Sequence, residues 1–277
     1  MDALTAHRLH FAFTVMFHYL FPVVTMGLTL LIFVLKTKAL RGDEAANVAA
    51  RFWIKPLSVC FVMGVITGIP MEFQFGTNWS RFSKLSGGII GQTLAMEGLF
   101  AFFLESTFIY LLLFEEKRFG PRGHWWSSFA VFIGTWLSGY FIVATNAWMQ
   151  HPVGYRQLPA GTIELESLTA LLINPWLIPQ YAHIMLGATI TGSFVLASIG
   201  SFYMLRGEHD AVVRSWMPVA VVVGFAASLA TAFPVGDAHA KLVYKVQPAG
   251  FAAFCRRASS RASSRARRWP PPPRRST

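Results

Sequence analysis

Residues 10–35 read HFAFTVMFHYLFPVVTMGLTLLIFVL, and this stretch contains no lysine, arginine, aspartate or glutamate. A helix needs about 20 predominantly apolar residues to cross a bilayer core that is about 30 Å thick. Five more apolar stretches of comparable length follow, at residues 53–73, 94–114, 127–149, 180–205 and 217–236. Because none of them shows the alternation of a barrel strand, we predict an all-α protein, a polytopic bundle of about six transmembrane helices.

The composition of the chain also indicates a membrane protein. Of its 277 residues, 54% are hydrophobic and 13% are charged, whereas soluble domains carry about 25% charged residues. So few charges cannot cover a globular surface, and we expect lipid to cover much of it. The net charge of +11 comes mainly from eight arginines after residue 250, and the rest of the chain carries about +3. We therefore do not expect nucleic acid as a partner.

Basic residues in the connecting segments predict the orientation of the bundle. Segments 36–52, 115–126 and 206–216 contain nine lysines and arginines, whereas the opposite side contains four before the C-terminal tail. Cytoplasmic loops carry an excess of lysine and arginine. We expect the N-terminus outside, these three segments in the cytoplasm, and the protein in the bacterial inner (plasma) membrane.

Two histidines inside the apolar stretches are candidate cofactor ligands, since a polar group in a membrane span needs a reason to be there. His18 lies in the first span, and an imidazole nitrogen is a good axial ligand for haem iron. The alternative is a histidine that hydrogen-bonds to a neighbouring helix. His183 begins the fifth span, and Gly187 one turn later leaves room for a flat cofactor; the alternative is an ordinary interfacial histidine.

Two carboxylates, Glu97 and Glu105, lie in the third span. On an α-helix their spacing of eight residues places them roughly 12 Å apart along the axis and about 80° apart around it. Both can then address one broad face at two depths, which suits a proton relay, or one ligand plus one relay group. The alternative for Glu97, near the start of the predicted span, is a carboxylate at a helix end that pairs with a basic side chain.

Several long strings closely resemble subunit I of cytochrome bd quinol oxidases. They are RLHFAFTVMFHYLF (8–21), GIPMEFQFGTNWS (68–80), AMEGLFAFFLESTF (95–108), NAWMQHP (146–152), the INP before His183, and GDAHAKLVYKVQP (236–248). The resemblance runs from about residue 4 to about residue 254. It implies an enzyme that oxidises quinol and reduces oxygen to water, as a terminal oxidase of the respiratory chain.

That resemblance also implies cofactors, a partner and roles for particular residues. The family carries a low-spin haem b, a high-spin haem b, and haem d or a haem b in its place, and it works with a second membrane subunit (subunit II). His18 matches the axial ligand of a high-spin haem, and His183 matches the ligand of the low-spin haem b. Glu97 matches the carboxylate at the oxygen-reducing haem, and Glu105 matches a glutamate of proton delivery.

Further polar positions match the family less specifically. Four of them match groups near the haems or their proton path: Arg8, Lys55, Ser138 and Asn146. Residues 237–254 resemble the start of an external quinol-binding loop, in which Lys241 and Gln247 are candidate substrate contacts. The chain departs from the family where Gly250 and Cys255 stand in place of a lysine and a glutamate.

These features divide the chain into three segments. Residues 1–236 form the transmembrane haem-binding domain, residues 237–254 begin the quinol loop, and residues 255–277 form a basic low-complexity tail. An intact family member is expected to have two halves like four-helix bundles, of which this chain covers the first and part of the next. The tail is either a native disordered segment or an out-of-frame product, and the sudden end of the resemblance favours the second.

Two other functions stay open on the sequence. The chain could be an inactive truncated remnant that inserts in the membrane with partial or no haem. It could also be a proton channel or transporter built on Glu97 and Glu105, although the sequence shows none of the internal repeats that mark many transporters.

Overall fold

The computed structural model describes residues 2–159 and 161–254, and these residues are almost entirely helical. The long helices are α1 (Ala3–Leu40), α2 (Glu44–Thr77), α3 (Ser80–Met96), α4 (Phe103–Phe114), α5 (Glu116–Gln150), α7 (Leu177–Arg206) and α8 (Asp210–Ala230). Shorter helices are α6 (Leu168–Leu172), α9 (Asp237–Val246) and α10 (Pro248–Phe254). Two three-residue strands, β1 (Tyr155–Gln157) and β2 (Ile163–Leu165), pair antiparallel between α5 and α6. The tail 255–277 lies outside the described residues.

Six helical stretches of the described chain are long and apolar enough to cross a membrane, which confirms the predicted number. They are Ala3–Leu40, Glu44–Thr77, Ser80–Phe114, Glu116–Gln150, Leu177–Arg206 and Ala211–Val246. Each contains one predicted span and extends beyond it at one or both ends. Large apolar side chains such as Phe194 and Phe225 are exposed on the outside of the bundle, as expected for a surface that faces lipid.

The third membrane helix begins at Ser80, about 14 residues before the predicted start of the third span, and its first part is α3. It continues through a π-helical turn, Glu97–Phe102, directly into α4. A second π-helical turn, Thr231–Gly236, joins α8 to α9, with the backbone of Phe233 in an extended conformation. Turns of this kind are rare and occur frequently at functional sites.

Helix α1 is the central element, because it packs against α2, α5, α7 and α8. At its contact with α7 the two backbones touch, and a Cβ atom added to Gly27 would lie 2.2 Å from the carbonyl oxygen of Ala188. Small residues permit this close approach of helices in a membrane. A core of aliphatic side chains and the perpendicular pair Trp53 and Trp216, 5.5 Å apart, fills the space beside it.

The three basic segments meet at one end of the bundle, as the orientation rule requires. Lys36 forms an ion pair of 3.0 Å with Glu116, which joins the first segment to the second. Lys38 donates a hydrogen bond of 3.1 Å to the carbonyl oxygen of Ser215, which joins the first segment to the third. Between α1 and α2, Asp43 accepts a bond from the backbone N–H of Ala46, and that bond lowers the pKa of its carboxyl group.

Candidate functional site

His18 lies on α1 with its ring against α2. Its Nδ1 is 3.0 Å from the hydroxyl oxygen of Thr67, and a Cβ atom on Gly68 would lie only 3.1 Å from the ring. The Thr67 hydroxyl donates its own hydrogen to the carbonyl of Met63 at 2.7 Å, so it accepts from His18. This geometry favours the tautomer in which Nδ1 carries the ring hydrogen and Nε2 carries the lone pair. Metal-binding histidines usually show this arrangement, with the second ring nitrogen held by a protein oxygen.

Glu97 lies at the midpoint of a membrane helix and opens its π-helical turn. It is 17 residues from Ser80 and 17 from Phe114, the two ends of the continuous helix. Its Oε1 accepts a hydrogen bond of 2.8 Å from the Ser138 hydroxyl of α5. The alternative of a helix-end carboxylate paired with a cation is therefore wrong: the helix does not end here, and the partner that the structure describes is a neutral hydroxyl.

Glu105 is buried, with 6% of its surface exposed, and like Glu97 it faces α5. A Cβ atom on Gly134 of α5 would lie 2.9 Å from Cγ of Glu105. Gly134 and Ser138 are one turn apart, so both carboxylates face one stripe of α5.

The predicted angle of 80° between the two carboxylates assumed an uninterrupted α-helix. A π-helical turn accommodates about one extra residue, so eight residues advance roughly as seven do in an α-helix, leaving an angle of about 20°. Glu97 and Glu105 therefore lie closer to one line than the sequence indicated.

His183 lies at the start of α7 beside a second histidine that the sequence reasoning did not single out. The ring of His239, from α9, is 5.6 Å from the ring of His183, centroid to centroid. His183 Nδ1 is buried and has no hydrogen-bond partner among the described residues. A Cβ atom on Gly187 would meet nothing within 4 Å, which leaves open space one turn from the ring. His239 had one signal in the sequence, its place within GDAHAKLVYKVQP.

The remaining predicted positions are spread over the bundle. Ser138 binds Glu97, as described. Asn146 accepts a bond of 2.6 Å from Gln180, which joins α5 to α7. Arg8 is exposed near the N-terminus, and Lys55 is exposed in a groove beside Glu116. The structure therefore brings Ser138 to the carboxylates, but it does not show contacts of Arg8, Lys55 or Asn146 with them.

The segment expected to begin an external loop is helical in the described residues. On α9, Lys241 forms an ion pair of 2.6 Å with Asp237. After α9, the side chain of Gln247 donates to the side-chain oxygen of Gln150 at 2.6 Å. Both predicted quinol contacts therefore have protein partners, and Cys255 lies outside the described residues.

A partly buried ionic group that the sequence reasoning missed lies at the end where the basic segments meet. We name it the charge cluster; it consists of Lys36, Arg51, Glu116 and His124. Lys36 is 2% exposed, and one Glu116 carboxylate is within 3.0 Å of Lys36, 2.7 Å of Arg51 and 3.4 Å of His124. Because these residues lie in two separate polar segments, 36–52 and 115–126, the sequence predicts no contact between them.

Comparison with known proteins identifies relatives over nearly the whole chain. The family model of cytochrome bd terminal oxidase subunit I matches residues 6–271, a range that passes the point at which the quoted strings end. Cytochrome bd-II ubiquinol oxidase subunit 1 of Escherichia coli (strain K12) is 36% identical over 91% of this chain and 49% of its own length. Cytochrome bd ubiquinol oxidase subunit 1 of Bacillus subtilis (strain 168) is 35% identical over 91% of this chain and 54% of its own.

A solved structure shows the same fold. The bd oxidase of Geobacillus thermodenitrificans matches with a TM-score of 0.86 and 29% identity, covering 91% of this chain and 58% of that one. The chain spans about half the length of the curated relatives it matches. A transporter built on the two carboxylates is not favoured, because the family model and the relatives agree on an oxidase. The chain is a multi-pass protein of the bacterial inner membrane, and it belongs to the cytochrome bd terminal oxidase subunit I family.

Proposed function

We propose that this chain forms the haem-binding part of a membrane oxidase that oxidises quinol and reduces oxygen to water. The observation that carries the proposal is the orientation of His18. Its Nδ1 is committed to Thr67, and its Nε2 has no protein partner among the described residues, so an axial ligand is ready within a membrane bundle. The printed names of the two curated relatives, both ubiquinol oxidases, support the reaction.

The donor set fits haem better than a bare metal ion. Among the residues that the structure describes, no group of three or more histidine, cysteine, aspartate or glutamate side chains could hold an ion. A haem needs only one or two axial ligands from the protein, because the porphyrin supplies the others. His18 would hold a high-spin haem, and His183, with its unbonded Nδ1 and the open space at Gly187, would hold a low-spin haem b.

The proposed cofactors are a low-spin haem b, a high-spin haem b, and haem d or a haem b in its place. When bound, these haems would supply electron transfer and the reduction of oxygen. The residues of this chain would bring protons to the buried site, because oxygen reduction consumes them. Glu105 and Glu97 face one stripe of α5, and the Ser138 hydroxyl holds Glu97 at 2.8 Å. A proton held at Glu105 would therefore have a carboxylate acceptor about two turns away on the same side of the helix.

The quinol and the second subunit complete the proposal. Quinol would bind near α9, where breaking the Lys241–Asp237 pair or the Gln247–Gln150 bond would release polar groups to meet its oxygens. His239, which lies beside His183 and on the same short helix as Lys241, would link the quinol segment to the haem ligand. A second membrane subunit would cover part of the exposed apolar surface.

The test is a reduced-minus-oxidised absorption spectrum of membranes that contain this chain and a second subunit. We expect haem bands, with the high-spin component lost in His18→Ala and the low-spin component lost in His183→Ala. His7→Ala is the matched control, because that ring is exposed and has no partner in the described chain; it should leave the spectrum unchanged. A spectrum without haem bands would instead support the inactive remnant and would refute the proposal.

A further inference from the structure

A groove opens at the end of the bundle where the basic segments meet, between α2 and the junction of α4 with α5. Arg51, Lys55, Glu116 and Lys117 form its polar rim, and Leu113 and Phe114 are among its apolar walls. Phe114 is the last residue of α4, and 68% of its surface is exposed. The groove therefore combines positive side chains with an apolar surface that continues towards the bilayer.

The rim carries more positive charge than its one carboxylate neutralises. Glu116 already binds Lys36 and the Nε of Arg51, at 3.0 and 2.7 Å. Lys55 and Lys117 form no ion pair or hydrogen bond with any residue within 2–159 and 161–254. Arg51 contacts Glu116 through Nε, its terminal nitrogens have no hydrogen-bond partner among the described residues, and 58% of its side chain is exposed. Two ammonium groups and part of a guanidinium group thus remain available to an anion.

The depth of Lys55 makes an anionic partner in the membrane favourable. Helix α2 has 34 residues, so it is about 51 Å long and exceeds the hydrocarbon core by about 20 Å. Lys55 follows Glu44 by 11 residues, or roughly 16 Å, which places it near the edge of the core if the helix is centred. A lysine at that depth extends its ammonium group towards the headgroups, where the negative charges are lipid phosphates.

We propose that this groove binds one anionic phospholipid of the cytoplasmic leaflet. The phosphate bridges Lys55 and Lys117 and reaches the exposed part of Arg51, while an acyl chain lies along Leu113 and Phe114. Basic pockets between membrane helices on the cytoplasmic side bind such headgroups. The apolar walls favour a lipid over free phosphate. The proposal requires only that the chain spans the membrane, and it is independent of the proposed oxidase activity.

The test is native mass spectrometry of the full chain, co-purified with its second subunit and titrated with phosphatidylglycerol. We expect phosphatidylglycerol to bind more tightly than phosphatidylcholine. The double variant Lys55→Gln with Lys117→Gln should bind phosphatidylglycerol about 25-fold more weakly, at roughly fivefold for each lysine near the headgroups. Neither substitution removes a contact of the charge cluster, so the fold should persist, and circular dichroism of the variant checks this.

The matched control is Lys84→Gln with Lys245→Gln, which removes two exposed lysines outside the groove. It should bind phosphatidylglycerol as the unchanged protein does. Equal binding by the groove variant and the control would overturn the proposal, as would equal affinity for the two lipids. Inorganic phosphate that competes as well as the lipid does would assign the groove to a free anion and would also overturn it.

Discussion

The contact between α1 and α7 makes the Gly27→Ala variant a sensitive probe of the fold. The new Cβ atom would lie 2.2 Å from the carbonyl oxygen of Ala188 and 2.9 Å from the backbone nitrogen of Gly192. Both neighbours are backbone atoms, so no side chain can turn away, and the two helices must separate by about 1 Å to restore ordinary contact distances. A gap of that size loses roughly a quarter to a half of the dispersion energy of the atoms involved.

The expected loss of stability follows from two opposing terms. Overpacking costs typically about 1–3 kcal/mol, and a backbone clash belongs at the upper end. Replacing a helical glycine by alanine regains roughly 0.5–1 kcal/mol of helix propensity. We therefore expect a net loss of about 2 kcal/mol, which corresponds to roughly 4–8 °C in the unfolding temperature of a chain of this size.

Thermal unfolding of the detergent-solubilised protein, followed by circular dichroism, measures this loss. Gly64→Ala is the matched control, because its Cβ atom would meet Phe21 at an ordinary 3.7 Å. The control should be as stable as the unchanged protein or slightly more so. If Gly27→Ala unfolds at the same temperature as Gly64→Ala, the backbones of α1 and α7 do not touch in the folded protein and our reasoning fails.

Three further predictions concern single contacts. Lys36→Met removes the buried donor to Asn47 and Glu116 and should cost about 2 kcal/mol in an unfolding titration with dodecyl sulfate, because a buried acceptor that loses its partner costs about 1–3 kcal/mol while Glu116 keeps its pair with Arg51. Lys38→Met, whose half-exposed ion pair contributes less, should cost under about 1 kcal/mol. Asp43→Ala should lose about 1 kcal/mol as a missing helix cap. Because the pKa of Asp43 is lowered in the folded state, the stabilising effect of this carboxylate is complete above its unfolded pKa and disappears as the pH falls through its folded pKa. Asp43→Asn should cap α2 without that acid dependence. A pH series of melting curves that shows the same acid dependence for the unchanged protein and for Asp43→Asn would contradict this. The infrared carboxyl band of Glu97 is the band that Glu97→Gln abolishes. Ser138→Ala should shift this band, because it removes the 2.8 Å hydrogen bond to Glu97, whereas Ser138→Thr should leave the band in place. A band that does not move in Ser138→Ala would show that the hydrogen bond is not made.

The candidate site was partly predictable from the sequence. His18, Glu97, Glu105 and His183 stood out because ionisable groups within apolar stretches are costly and therefore rare. The same rule could not find His239, which lies beyond the last predicted span, or the charge cluster, whose members lie in polar segments. Polar residues in loops are common, and their sequence carries no sign of which of them will become buried.

The sequence by itself determined that the chain is helical, that it crosses the membrane about six times and which segments lie at the same end. The physical reason is that the thickness of the bilayer and the need to satisfy every backbone hydrogen bond act on each segment separately. Only the tertiary structure decided the partners. Glu97 and Ser138 are 41 residues apart, and Lys36 and Glu116 are 80 apart, so those contacts depend on how separate helices pack. The π-helical turn at Glu97 was also decided only by the tertiary structure, since nothing in its local composition distinguishes it from the α-helix on either side.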